Sequence, residues 1–318
     1  MKAIPVITIL AWPIFGAGAV AAWNAGLWPL TVLLVLAASI CANSTILTMH
    51  EAVHMLLSPN QRLNNLGGII SGTVTLTPMN LFRVVHNSHH GMIGSEQDLE
   101  FWPYVNKHSK RWHRVLAALT ELTIAPLYYF VMFTRAIFIG NMSPRIWRRC
   151  WRDVAIMVVP LAITLYLVAT NGWWTEFVIA YLIPMLLASN MQSWRRLTEH
   201  VGLYGDNELS LTRTIIPTNP IERFYCLVML NENYHAPHHK KASIKWTHLP
   251  QATMVIYDSR PDLRPLFFPS YLKAIPCMLK ELGDPRIGKQ WLAWSPSIAE
   301  QPSPLDAPDG RSNGRMRN

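Results

Sequence analysis

The stretch VLAALTELTIAPLYYFVMFTRAIFIG, residues 115–140, decides the fold. It is apolar enough to count as a membrane span, yet it holds Glu121, Pro126 and Arg135. Ionisable residues are rare inside spans because burying their charge in lipid is costly. If the stretch crosses, everything after it changes sides. The rest of the chain has to be read before that choice can be made.

Half of the 318 residues are hydrophobic, 15% are charged and the mean hydropathy is +0.15. Soluble domains carry about 25% charged residues. The apolar residues are bunched into Ala3–Trp23, Leu27–Met49, Val154–Thr170 and Trp174–Trp194. Each run has about the length needed to cross a hydrocarbon core of about 30 Å. Only Glu176, near one end, places a charge inside any of them. The composition is that of an integral membrane protein. Lys2, the first run and the small residues Ala19–Ala21 also fit a cleavable signal, but Pro13 and the long apolar body suit a retained span. Cys41, Cys150, Cys226 and Cys277 are scattered, without C-x-x-C spacing, and imply neither a disulfide framework nor a zinc ribbon.

The net charge of +9 does not point to nucleic acid, because the basic residues flank the apolar runs. RIWRRCWRD (145–153) precedes the third run and WRRLTEH (194–200) ends the fourth, whereas the links NAG (24–26) and NGWW (171–174) carry no Lys or Arg. By the positive-inside rule both links lie outside, and the N-terminus, middle region and C-terminal third lie in the cytoplasm. Trp23, Trp28, Trp173, Trp174 and Trp194 sit near run ends, as an interfacial aromatic belt requires. Four crossings satisfy this pattern and a fifth through 115–140 breaks it. We therefore expect 115–140, and likewise LGGIISGTVTLTPMNLF (66–82), to lie in or dip into the interface. The expected fold is an all-α integral membrane protein, with four transmembrane helices in two hairpins, interfacial helices and a cytoplasmic histidine-rich cap. Residues 1–295 form this membrane domain; the Pro-, Ser- and Gly-rich segment 296–318 reads as a disordered tail.

The histidines give the function class. HEAVH (50–54) pairs His50 with His54 at i,i+4, on one helical face. HNSHH (86–90) sets His86, His89 and His90 at i, i+3 and i+4, and HAPHH (235–239) repeats the triangle with His235, His238 and His239. Pro237 requires any helix there to begin close to it. With His200, nine of the twelve histidines fall beside run ends on one side; His108, His113 and His248 read as surface residues. Packed neutral imidazoles would repel once protonated, and a metal explains their company. Eight or nine imidazoles exceed the four ligands of a structural zinc site and suit two metals. Imidazole serves zinc, copper, iron and nickel alike. A site beside the membrane points to lipid chemistry, and breaking an unactivated C–H bond needs a redox metal, which favours iron. A metal transporter would place its ionisable residues within the spans, and a zinc-dependent lipid hydrolase would need fewer ligands.

HEAVH, HNSHH and NYHAPHH, with RRLTEH between the second and third, resemble the histidine boxes of the membrane fatty-acid desaturase superfamily. SEQDLEFWP (95–103) resembles the acidic segment that follows the second box, and the likeness covers roughly residues 30–260. The resemblance implies a four-span fold and an oxygen-dependent centre of two iron ions. It implies that His50, His54, His86, His89, His90, His200, His235, His238 and His239 hold them. The substrate implied is a lipid or fatty-acyl chain in the bilayer; a hydroxylase or ketolase acting on lipid or carotenoid is the nearest alternative. Pro237 stands where the family commonly has an acidic residue, and the sequence contains no HPGG haem segment. Electrons therefore come from a separate donor, ferredoxin-like or similar, with its reductase. Neutral ligands leave the metal charge uncompensated, so nearby carboxylates are expected to orient imidazoles. Glu51, Asp98, Glu100 and Glu199 are candidates, with Asn233 as a further polar group. Met79, Trp102 and Trp246 are candidate walls of an acyl groove.

Overall fold

The computed structural model describes residues 3–294 and 303–305. The tail expected at 296–318 therefore lies, apart from 303–305, outside the described residues. The chain is mostly helical. Helices α1 (Ile4–Asn24) and α2 (Trp28–Val53) pack side by side across the short link Ala25–Leu27. Small residues are buried on both helices: Gly16, Ala19 and Ala22 on α1, Ala38 and Ala42 on α2. Small side chains allow the close backbone approach on which helix packing in lipid depends.

Helices α3 (Gln61–Val74) and α4 (Met79–Met92) follow. The expected single element over 66–82 is therefore divided, with its break at Thr75–Pro78. The Asn60 side chain caps α3 by accepting from the amides of Arg62 and Leu63, and Pro78 opens α4. Gly68 lets α3 lie against α2, since a Cβ there would meet Ala52 Cβ at 2.7 Å and the Met79 side chain.

The deciding stretch is also two helices, α5 (Arg111–Thr123) and α6 (Ala125–Ile139), broken at Ile124 just before Pro126. At about 1.5 Å per residue, neither is long enough to cross the hydrocarbon core. Asn190 repairs the break: it accepts from the Ala125 amide at 3.0 Å and donates to the Thr123 carbonyl at 2.8 Å. Glu121 does not face lipid. It is fully buried, takes a bond from Tyr104 at 2.9 Å and pairs with Arg196. Breaking such a buried pair typically costs about 3–5 kcal/mol. Arg135 lies 4.5 Å over the Trp102 ring.

Helix α7 (Pro144–Asn171) starts ten residues before the apolar run that predicted it. The Ser143 side chain caps it and Pro144 occupies its first turn, so the basic cluster 145–153 is helical. Asp153, buried in that cluster, accepts from the Asn80 amide at 3.0 Å and ties α7 to α4. Helix α8 (Trp174–Phe177), a π turn at Val178–Leu182 and α9 (Ile183–His200) then run on as one apolar rod. Gly16 of α1 abuts this π turn; a Cβ there would stand 3.0 Å from the Ala180 carbonyl oxygen. Among the described residues, α1, α2, α7 and the α8–α9 rod are the four helices long and apolar enough to cross a membrane.

The remaining elements follow α9 in the chain. Two-residue strands β1 (Thr214–Ile215) and β2 (Phe267–Phe268) pair in parallel, a small departure from an all-helical expectation. Helices α10 (Pro220–Val228), α11 (His235–Lys240), α12 (Leu249–Ser259) and α13 (Tyr271–Glu281) complete the described chain, with α13 packed on α9. Reporters fused after Gly140 and after Gly205 are expected to report the same compartment, and reporters after Ala25 and Gly172 the opposite one. A split between the first two would restore 115–140 as a crossing.

Candidate metal centre

Four helix ends meet at one buried place. His50 lies in the last turn of α2 and His54 immediately follows it. Helix α4 carries His86, His89 and His90; α9 ends on His200. Helix α11 begins at His235, with Pro237 in its first turn as the spacing required. The chain enters α11 through Leu230 and Asn231, both with positive φ (51° and 56°). The Asn231 side chain donates to the Trp246 carbonyl at 3.1 Å and holds that turn.

All nine clustered histidines come together, in two groups. His50, His54, His86, His90 and His238 form the first. Their Nε2 atoms converge, with His50 2.8 Å, His54 3.0 Å and His90 3.1 Å from His86. His89, His200, His235 and His239 form the second, with Nε2 separations of 2.9 Å for His200–His235, 3.0 Å for His235–His239 and 3.3 Å for His89–His239. Nitrogens placed about 2.1 Å from one ion and at right angles to each other lie about 3 Å apart, so both groups fit a metal ion. Each triple box straddles both groups. His86 and His90 enter the first while His89 enters the second; His235 and His239 enter the second while His238 enters the first. His108 and His248 are exposed, and half-buried His113 meets the Trp102 ring edge-on and the Trp112 ring at a tilt.

The chemistry of the groups also fits. Burial, and then the crowding of His90 and His50, holds His238 well below the ordinary imidazole range; burial with His235 and His90 does the same for His239. These rings are neutral, as metal ligands must be. His238 Nε2 is buried without a hydrogen-bond partner. A buried polar atom left unpaired is costly, and a cation at the centre of the group supplies its partner.

The profile of the fatty acid desaturase family matches residues 6–271. The chain belongs to the fatty acid desaturase family. That match spans all nine histidines and, but for the first two residues of α1, all four long apolar helices. Among curated proteins, none matches.

In this desaturase-family chain three histidines have their Nδ1 partner fixed. His86 Nδ1 donates to Glu100 at 2.9 Å, His89 Nδ1 to Asp98 at 2.9 Å, and His200 Nδ1 to the Leu211 carbonyl at 2.8 Å. A carbonyl only accepts, so the His200 proton sits on Nδ1 and leaves Nε2 free to bind metal. Asp98 is itself anchored by the amides of Glu100 (3.0 Å) and Phe101 (3.2 Å). Burial alone would raise Glu100; the adjacent His86, with His89 and Arg196, outweighs it and holds that carboxyl well below the usual carboxylate range. Glu199 stands 3.4 Å from His235 Nε2 and accepts from Arg195 at 2.8 Å and Tyr271 at 2.9 Å. Glu51 is buried beside His50, within the group formed by His50, Glu51 and Glu232. Asn233 turns the other way: its amide donates to the Ile215 carbonyl at 2.9 Å, not to a histidine.

Sequence reading missed Glu232, Arg195, Arg196 and Tyr271. Arg195 and Arg196 read as topology markers, yet both side chains reach buried carboxylates. Glu232 precedes His235 by three residues, but α11 starts only at His235, so helical spacing gives no sign of it. Replacing His239 by alanine is expected to lower bound metal in purified protein at least to half of the wild-type content. His248→Ala, outside both groups, is expected to leave metal content unchanged. Elemental analysis of matched samples checks both.

Proposed function

We propose that this member of the fatty acid desaturase family is an oxygen-dependent di-iron enzyme that introduces a C=C bond into the acyl chain of a bilayer lipid. The observation that carries the reading is the junction between the first histidine group and an apolar cleft. An inner pocket touches His50 and His86, is walled by Ile46, Phe82 and Tyr129, and also meets Glu100, Arg195 and Arg196. An outer cavity of about 810 Å³ lies against it, and Thr77, Tyr129, Phe133 and Ser189 border both. The outer cavity is lined from α6, α7 and α9, and none of its lining residues is charged. Phe130 and Phe138 in its wall are strongly exposed, which suits a flank in contact with hydrocarbon. Met79, Trp102 and Trp246, expected from the sequence to line a groove, border neither cavity; Met79 packs on Met49 and Ala52, and Trp246 on Leu47.

The nine histidines would hold two irons, which with dioxygen supply the oxidising power for C–H cleavage. The balance of the reaction is one dioxygen, two electrons and two protons consumed, one alkene and two waters formed. The chain's own contribution is positional. The cleft holds a methylene against the first histidine group and excludes water, and its depth and bend select the carbon attacked. Asp98, Glu100 and the Leu211 carbonyl fix three rings with Nε2 inward. Electrons come from a separate ferredoxin-like donor with its reductase. The basic cluster in the first turns of α7 and the arginines near the end of α9 support a cytoplasmic N-terminus and cytoplasmic histidine groups.

Hydroxylation is the second reading, because Ser189 and Gln192 bring hydrogen-bonding groups into the inner pocket. Expression in a host of known lipid profile, followed by mass spectrometry, separates the two outcomes. A product lighter by two hydrogens supports desaturation; one gaining an oxygen supports hydroxylation. Ser189→Phe, which fills the junction, is expected to cut turnover by about a hundredfold with metal content unchanged. Full turnover in that variant would mean that the substrate reaches the histidines by another route.

A further inference from the structure

Behind the two histidine groups lies a cluster of buried polar atoms that the reading above leaves unused. Glu232 is fully buried, and neither of its carboxylate oxygens has a hydrogen-bond partner. Three imidazole edges face it. His50 Nδ1 is 3.5 Å from Oε1, His238 Nδ1 is 3.7 Å from Oε1, and His235 Nδ1 is 3.9 Å from Oε2. All three of these Nδ1 atoms are themselves buried and unpaired. His50 and His238 belong to the first group and His235 to the second. Two other ionisable groups flank the carboxylate. Arg195 stands 3.8 Å away but gives its short bond, 2.8 Å, to Glu199. Glu51 is the second carboxyl in this pocket.

We infer that Glu232 is a positioning residue shared by both metal sites, accepting Nδ1–H from histidines of each group and so turning their Nε2 atoms toward the two ions. This inference rests on the two-metal reading proposed above. The reasoning is one of complementary need. A ring that offers Nε2 to a metal carries its proton on Nδ1, and that proton requires an acceptor. Asp98, Glu100 and the Leu211 carbonyl meet this need for His89, His86 and His200, one ring each. No equivalent bond is made by His50, His235 or His238. A carboxylate has two oxygens and about four acceptor directions, enough for three donors. Each gap is within an ångström or so of hydrogen-bond length, a distance that side-chain rotation closes. A single carboxylate serving both groups also places one negative charge between two cations, where it offsets both.

The inference separates Glu232 from its neighbours. Glu100 contacts only the first group, through His86, and Asp98 only the second, through His89. Full-length protein in nanodiscs, loaded with iron(II) and titrated with a chelator, reads the retention of each iron. Glu100→Gln and Asp98→Asn are each expected to weaken one iron by about ten- to a hundredfold, which assigns the two release steps. Glu232→Gln is expected to weaken both, and Glu232→Asp, which keeps the charge, to lose less at both. Glu232→Asp also gives the readout if the glutamine variant fails to elute as wild type does. Weakening of one iron only, or of neither, overturns the shared role. Wild-type protein that binds fewer than two irons overturns the two-metal reading itself, a distinct result.

Discussion

Everything in this chain depends on bringing nine imidazoles into one largely buried place. Such a cluster gains nothing from burial alone, because each ring carries polar nitrogens that must find partners. The fold gives His86, His89 and His200 an outer-edge partner at Nδ1 and leaves the inner edge convergent. Nitrogens 2.8 to 3.3 Å apart face one another across two centres, an arrangement that is repulsive when protonated and stable around cations. The helices serve this requirement. The C-terminal ends of the long apolar helices α2 and α9 deliver His50 and His200, while the shorter α4 and α11 deliver six more.

The outer edge is as constrained as the inner one. Arg196 joins α9 to the acidic segment after the second box through the Glu100 carbonyl at 3.1 Å, and to α5 through Glu121. Arg195 holds Glu199, which Tyr271 of α13 also bonds. Helices too short to cross a membrane are thus tied to one long and apolar enough to do so, by charges buried within the protein. The same pairing explains why α5 can carry Glu121 next to apolar neighbours without spanning.

Much of this was legible in the sequence. Long uncharged runs mark the spanning helices, and i, i+3, i+4 spacing marks the histidine boxes, because both signals are local and periodic. The same locality set the limits. The start of α7 at Pro144 was hidden by arginines, although Ser143 and Pro144 form a helix-start signal in their own right. The break at Ile124 depends on Asn190, sixty-five residues on from Ala125, and no local pattern announces it. The spacing put each triple box on one face, but it could not show that the boxes straddle both groups. That division depends on how α4 and α11 meet in space. Glu232 escaped notice for a similar reason, since it reaches the histidines from a turn. Asp98, Glu100 and Glu199 stand beside the histidines, where charge compensation must come from, whereas the Asn233 amide donates to the Ile215 carbonyl and only its buried Oδ1 stays unpaired.

The central claim, two nitrogen-rich iron sites in one membrane protein, is tested most directly by iron-edge X-ray absorption on purified wild-type protein with elemental analysis of the same sample. The account predicts two irons per chain, each with a shell dominated by nitrogen at about 2.1 Å and with the multiple-scattering signature of imidazole. A sulfur or all-oxygen shell, or stoichiometric zinc in place of iron, would contradict it.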